Sequence, residues 1–288
     1  MLEHGQGAPL EPKRVVVIGA GGFVGGAVVR RLTRDGVPVH GLTRKELDLL
    51  ADGAADLLAA ALEPDDSVVF VSALAPARTP ALLLQNLRMA EAVGKALTAR
   101  PVTHVVNISS DAVYADDANP VTERSSCQPS NLHGMMHAAR ELMLKGDAKA
   151  PLAMLRPSLL YGARDPHNGY GPNRFRRLAE KGEAITLFGE GEEQRDHVFI
   201  DDVAQIVALV VAHRSRGELN IATGTSTSFR DIAQKCVSLA GSRSDIRGTP
   251  RQNPITHRHF DITDCLKAFP KFRYTPLDDG LARAMKPE

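Results

Sequence analysis

Short apolar runs alternate with helically spaced segments along the first half of this chain. Val15–Ile18 is fully apolar and β-branched, the composition of a strand buried on both faces. Residues 27–32 read as a helix, 37–42 (VPVHGL) as a second strand and 67–71 (SVVFV) as a third. Residues 81–99 place apolar groups at helical spacing until Pro101 stops them, and 102–108 (VTHVVNI) follow as a strand. Residues 132–144 are helical, and 152–156 (LAMLR) form a strand closed by Pro157. Past residue 160 the alternation loosens. A turn-rich loop at 165–171 precedes a short strand, Ile185–Phe188, and a charged loop at 190–195. An apolar helix at 203–212, a strand at 219–222, the helix Phe229–Ala240 and a mixed tail at 257–284 complete the pattern.

The first strand runs into Gly19, Gly22 and Gly25, a G-x-x-G-x-x-G spacing in GAGGFVG, and then into a helix. In that context the glycines permit a tight turn, close approach of backbone to a pyrophosphate, and close helix–strand packing. The N–H groups at the helix N-terminus then face phosphate, and Phe23 and Val24 within the motif are candidate cofactor contacts. Strand–helix alternation around such a loop predicts an α/β fold, a Rossmann-type doubly wound parallel sheet with right-handed crossovers and a smaller, mainly helical C-terminal substrate lobe. Residues 14–160 are read as the dinucleotide-binding domain. Residues 161–288 are read as mostly the substrate lobe, with some segments returning to the sheet.

The end of the second strand bears on cofactor choice. An acidic residue there would hold a ribose 2′-hydroxyl, but this chain has Thr43, then Arg44 and Lys45. Arg44 suits a 2′-phosphate, which favours NADP over NAD; the competing reading is a solvated basic turn. Asp48 is a candidate contact to the adenine. Ser72, Ala73 and Leu74 follow the third strand, where open α/β sheets bind ligands.

Bulk properties narrow the function. The chain has 288 residues, 43% hydrophobic and 24% charged, and a net charge of +1, so no overall field favours nucleic acid or a membrane. Cys127, Cys236 and Cys265 are far apart and odd in number, which points to free thiols and a cytoplasmic setting. No segment is long and apolar enough to span a bilayer, and the first dozen residues read as a loose lead-in.

Further motifs follow: SSDAVY at 109–114, RPSLLYG at 156–162, FGEGEEQRDHVFIDDVA at 188–204 and LNIATGTSTSFRDIA at 219–233. With the glycine loop, their order resembles the extended short-chain dehydrogenase/reductase superfamily, in its NAD(P)-dependent epimerase/dehydratase branch. The likeness spans residues 14–282, and the TRKELDLL run is similar to NADP-using members. The resemblance implies a nucleotide-sugar epimerase or reductase, with an active-site hydroxyl at Ser110, a cofactor contact at Pro157 and a homodimer through the helices at 81–99 and 132–144. Asp111 stands where dehydrating members carry the first of two acids. The second position is Ala112, which argues against a 4,6-dehydratase.

The departure lies in the helix after Ser110. The superfamily's Y-x-x-x-K signature aligns here with HGMMHAARE, so His133 replaces Tyr and His137 replaces Lys, while Gly134 and Glu141 match. Imidazole is a base at neutral pH without help, so His133 can exchange a proton with an alcohol or ketone beside Ser110. His137 can hydrogen-bond the cofactor's ribose. Two other readings use the same residues. His133, His137 and Glu141, spaced i, i+4 and i+8 on one helix face, can hold zinc, although Gly134 breaks the H-E-x-x-H pattern; no metal is assigned. Alternatively, turnover is lost and the fold survives as an NADP- or nucleotide-sensing protein.

On the substrate side, Arg195 is the candidate phosphate ligand, since Arg binds phosphate through two parallel bonds. Asn173, His167 and His197 are further candidates, with a structural role the competing reading for His197. Arg176 and Arg177 divide evenly between substrate and a solvated helix face. Tyr114 and Tyr161 are read as packing residues, and His257 and His259 as surface or packing.

Overall fold

The structure, a computed structural model, describes residues 2–251 and 254–286; Met1 of the lead-in and the last two residues of the second segment lie outside them. In chain order the elements are β1 (Val15–Ile18), α1 (Phe23–Arg34), β2 (Val39–Leu42), α2 (Ala54–Ala61), β3 (Ser67–Phe70), α3 (Pro80–Ala99) and β4 (His104–Ile108). Then come α4 (Leu132–Asp147), β5 (Leu152–Pro157), β6 (Leu159–Tyr161), α5 (Pro172–Lys181), β7 (Ile185–Phe188), β8 (Gln194–Phe199) and α6 (Ile200–Ala212). The chain closes with β9 (Gly217–Ile221), β10 (Ser226–Ser228), α7 (Phe229–Ala240), β11 (Ile246–Thr249), α8 (Thr263–Ala268) and α9 (Leu277–Ala284).

Six parallel strands form the central sheet in the order β2-β1-β3-β4-β5-β9. Successive strand residues point to opposite faces, and both faces are apolar. Val15 and Val17 join the core under α1 and α6, while Val16 and Ile18 join the core under α2 and α3. This is the doubly wound Rossmann arrangement. The chain moves from β1 outward to β2 and then crosses back to β3, so the strand order reverses between β1 and β3. Ligands of such sheets bind in the crevice at that reversal, beyond the carboxyl ends of the strands.

The smaller part carries two further sheets beside its helices, β10-β8-β6 and β11-β7. Segments late in the chain return to the large sheet: β9 pairs with β5, and α6 packs beside α1. Among the described residues no helix is long and apolar enough to cross a membrane.

The start of the chain corrects the loose lead-in. Leu2 is buried in the core under α1 and α6. Glu3 pairs antiparallel with Arg216 through two backbone bonds of 2.8 Å. The His4 ring stacks on His213 at 4.2 Å and bonds the Ser215 hydroxyl at 2.8 Å and the Ala268 carbonyl at 2.9 Å. A polar, Gly- and Pro-containing segment has no periodicity of its own; its order comes wholly from these distant partners. Deleting residues 2–10 is expected to remove about 2 kcal/mol, chiefly Leu2 burial, and to lower the melting temperature by about 4 °C or more in a thermal melt followed by circular dichroism.

Candidate active site

Two glycines in the loop after β1 have no alternative. Gly19 has φ +98°, and a Cβ on it would lie 2.7 Å from the Ser72 nitrogen and 2.8 Å from its Oγ. A Cβ on Gly25 would lie 2.0 Å from the Gly19 carbonyl oxygen. Gly22 begins α1 with no side-chain cap, and the first turn, with Phe23 and Val24, holds no acid. Unblocked amides without a carboxylate fit a dinucleotide diphosphate.

At the end of β2, a carboxylate absent from the local motif arrives from three residues on. Glu46 accepts bonds from the Thr43 amide, at 2.9 Å, and from the Thr43 hydroxyl. The Thr43 hydroxyl holds this carboxylate below its ordinary range. Arg44 is exposed and reaches Asp48 at 3.2 Å. The Asp48 carboxylate also accepts from the Leu50 amide at 3.0 Å. After β3, the Ser72–Ala73–Leu74 segment is bracketed by Asn86 of α3, which accepts from the Leu74 amide at 2.9 Å and donates to its carbonyl at 3.1 Å. Pro157 ends β5, buried opposite Ile221.

Ser110 follows β4 and caps a single helical turn over Asp111–Val113. Its Oγ accepts from the Ala112 amide at 3.2 Å and donates to Asp111 at 3.4 Å. Burial raises the Asp111 carboxyl, against the pull of Arg258 at 3.4 Å. The first turn of α4 is pressed onto this turn. Asn131 caps it, accepting from the Gly134 amide at 3.0 Å, and a Cβ on Gly134 would lie 2.0 Å from the Ala112 carbonyl oxygen. His133 therefore stands beside the turn that carries Ser110.

His133 and His137 meet edge to face, with ring centroids 4.8 Å apart. The Ala77 amide lies 3.5 Å from His133 Nδ1, at the outer limit of a hydrogen bond. Burial lowers the pKa of both imidazoles; His137 falls furthest, with Arg140 and then His133 adding to the effect. Glu141 does not join them. It grips Arg156 through two bonds of 2.9 and 2.6 Å, which removes the third ligand of the zinc reading. Among the described residues no group of three His, Cys, Asp or Glu is placed to hold a metal.

Arg156 also donates to the Tyr114 hydroxyl at 2.9 Å, which donates to the Asn220 Oδ1 at 2.7 Å; the Asn220 backbone N–H donates to Glu123 at 2.8 Å. Tyr114 is thus a bonded part of a buried network. Tyr161 is buried with its hydroxyl unpartnered.

On the substrate side, Arg195 is half-buried, paired with Glu193 and bonded to the Thr256 carbonyl. Arg258 is its electrostatic neighbour and donates to the Ala115 carbonyl at 2.9 Å. Asn173 spends its amide on the Gly162 nitrogen and the Leu160 carbonyl, at 3.1 and 3.0 Å. Arg176 is buried and donates to the Ala163 carbonyl at 2.7 Å, not a solvated face, and Arg177 turns to Asp165. His167 is exposed on its loop. His197 is buried against Phe229, and neither ring nitrogen has a partner. His257 bonds the Gln194 amide at 3.2 Å. A surface hollow of about 500 Å³ among Glu3, Lys149, Leu152 and Arg216 lies at the amino ends of β5 and β9, away from all of these residues.

Sequence pattern did not single out Glu46, Asn86, Arg140 or Arg258. Arg140 alone had a local signal, a charge three residues after His137 on the inward face of a helix. The Arg258–Asp111 contact joins residues 147 positions apart and leaves no local trace.

Residues 15–222 match the NAD dependent epimerase/dehydratase family. The chain is 25% identical to the UDP-glucose 4-epimerase of Mycolicibacterium smegmatis, over 95% of this chain and 97% of that protein. The fold superposes on Thermus thermophilus UDP-glucose 4-epimerase in complex with NAD, with a TM-score of 0.83, 20% identity and coverage of 94% of this chain and 97% of that one. It superposes equally on a GDP-L-fucose synthetase from Naegleria fowleri bound to NADP, with a TM-score of 0.85, 16% identity and coverage of 97% and 96%.

Burial pushes His104 down to about 4 and His197 down to about 3. The unfolded chain titrates near 6.5 and binds the proton more readily, so this contribution to stability is complete above that pH and is lost as the pH falls. Exchanging His197→Phe, an aromatic without a proton to gain, is expected to flatten the loss of stability between pH 6.5 and 5. Urea unfolding at several pH values checks this.

Proposed function

Because the chain belongs to the NAD dependent epimerase/dehydratase family, we propose that it acts on a nucleotide sugar, moving hydride between a nicotinamide cofactor and a sugar carbon. The observation that supports this reading is the close fit of Gly134 on the Ala112 carbonyl, which packs the first turn of α4, with half-buried His133, onto the turn that Ser110 caps. Ser110 polarises the sugar oxygen by a hydrogen bond, and His133 takes or returns its proton. The bound nicotinamide supplies the hydride acceptor or donor. His137 lines the ribose side of the same helix face, and Asp111 fixes the Ser110 hydroxyl. Residues 14–160 hold the cofactor, and 161–288 supply most of the substrate contacts.

Exposed Arg44 supports NADP, since its guanidinium suits a 2′-phosphate. The Glu46 carboxylate held against Thr43 favours the alternative, NAD, whose ribose 2′-hydroxyl it suits. Arg195 and Arg258, two neighbouring guanidinium groups near Asp111, suit the diphosphate of a nucleotide sugar. Exposed Leu84 on α3 and Met135 and Leu142 on α4 suit packing against a second copy of the chain. Three free cysteines suit the cytoplasm.

The test is incubation with NADPH and a broad panel of nucleotide 4-ketosugars and nucleotide sugars, following cofactor oxidation and deuterium uptake from solvent into the sugar. Turnover is expected, and His133→Ala is expected to lower kcat by about 10²-fold. Oxidation of the alcohol, run with NADP⁺ and a nucleotide sugar, needs the neutral ring, so its rate rises with pH through the His133 titration, below pH 6.5, and this limb disappears in His133→Ala. Full activity in that variant would remove His133 from the chemistry. Tight NADPH binding with no turnover would favour the sensing protein instead.

Cofactor choice is checked separately by fluorescence titration. Arg44→Ala is expected to weaken NADPH binding about fivefold or more and leave NADH binding unchanged, a modest effect because the side chain is exposed.

A further inference from the structure

Arg140 of α4 is buried to 1% exposure, and among the described residues it makes no ion pair. One Nη donates to the Ser72 carbonyl at 2.8 Å, and the other lies 3.7 Å from the Met136 sulfur. The guanidinium stands 4.3 Å over the Phe70 ring, and its Nε has no acceptor. A cation stripped of water without a carboxylate is among the costliest things a fold can contain. Burial lowers this guanidinium only to about 10, so it stays charged at neutral pH. Nearby carboxylates are engaged elsewhere: Glu141 by Arg156, and Asp111 by Ser110 and Arg258. On α3 the charged residues Arg88, Glu91 and Lys95 are exposed, as is Arg78 on the segment after β3. The titratable groups left on this face of α4 are His137, three residues before Arg140, and His133, seven before it.

We propose that Arg140 is the resident cation of the site, a positioning residue that acts through His137 and His133 and ties α4 to the carboxyl end of β3. Its charge makes a second cation at His137 unfavourable, so that ring stays neutral and puts no charge beside His133. Its bond to the Ser72 carbonyl fixes the residue whose nitrogen and Oγ crowd Gly19, so the proton-handling helix and the phosphate loop share one anchor. This inference rests on the reading of His133 as the proton-handling group.

The test needs neither substrate nor cofactor. Histidine ring signals of the full chain are followed by NMR against pH, assigned with His133→Gln and His137→Gln. In Arg140→Met the His137 midpoint is expected to rise by about one pH unit or more. In Arg140→Lys, which keeps the charge, it is expected to stay low. Phe70→Leu loosens the same packing but retains the guanidinium, and is also expected to leave the midpoint low. An unshifted midpoint in Arg140→Met overturns the proposal, as does a raised one in Arg140→Lys or Phe70→Leu. Where Arg140→Met does not fold, Arg140→Gln, which also removes the charge, takes its place with the same expected rise. Because no turnover is measured, failure to find a substrate leaves this result standing, and an unshifted titration in an active enzyme removes Arg140 alone.

Discussion

Arg156 and Glu141 form a two-pronged ion pair in the interior, and the placement of α4 depends on it. The pair joins α4 to β5, reaches the end of the Ser110 turn through Tyr114, and continues to β9 through Asn220. Four separate stretches of chain are thereby fixed to one guanidinium. Removing either partner of such a pair costs about 3–5 kcal/mol, because the survivor is left as a bare buried charge. Glu141 lies two helical turns from His133. The middle of the helix is clamped by charge, and its first turn by the close fit of Gly134 on Ala112.

The same helix carries two buried arginine environments of opposite kind. Arg156 is neutralised by Glu141 and belongs to the scaffold. Arg140 has a carbonyl, a sulfur and an aromatic face for company, and its charge reaches outward instead. Both environments lie on the same inward face of α4: Glu141 holds the fold together, and its neighbour Arg140 bears on His137. Where the superfamily resemblance implies an ammonium at position 137, the structure has a neutral ring at that position and a cation one turn further on.

Much of this was legible in the sequence, for a physical reason. The buried strands announce themselves by apolar, β-branched composition. The glycine loop does so because Gly19 and Gly25 leave no room for any side chain. His133 and His137 were found by their spacing from Gly134 and Glu141, both of which have fixed structural duties. Illegible were the features made by contacts distant in sequence. Arg258 meets Asp111 from the tail, Leu2 enters the core from a segment without periodicity, and Arg176 is buried on a helix whose composition looks solvated. Glu46 was missed differently: it is close in sequence, but only the curl of the chain after β2 returns its carboxylate to Thr43.

The docking of Glu3 beside Arg216 has a consequence for association. The large sheet ends at β2 on one side and β9 on the other. An outer strand offers unpaired amides and carbonyls that can recruit a strand from another molecule. By pairing with Arg216, Glu3 lays backbone over the approach to β9 and occupies donors and acceptors at the start of that edge. The first residues of the chain thus cover the start of that edge, not the rest of β9.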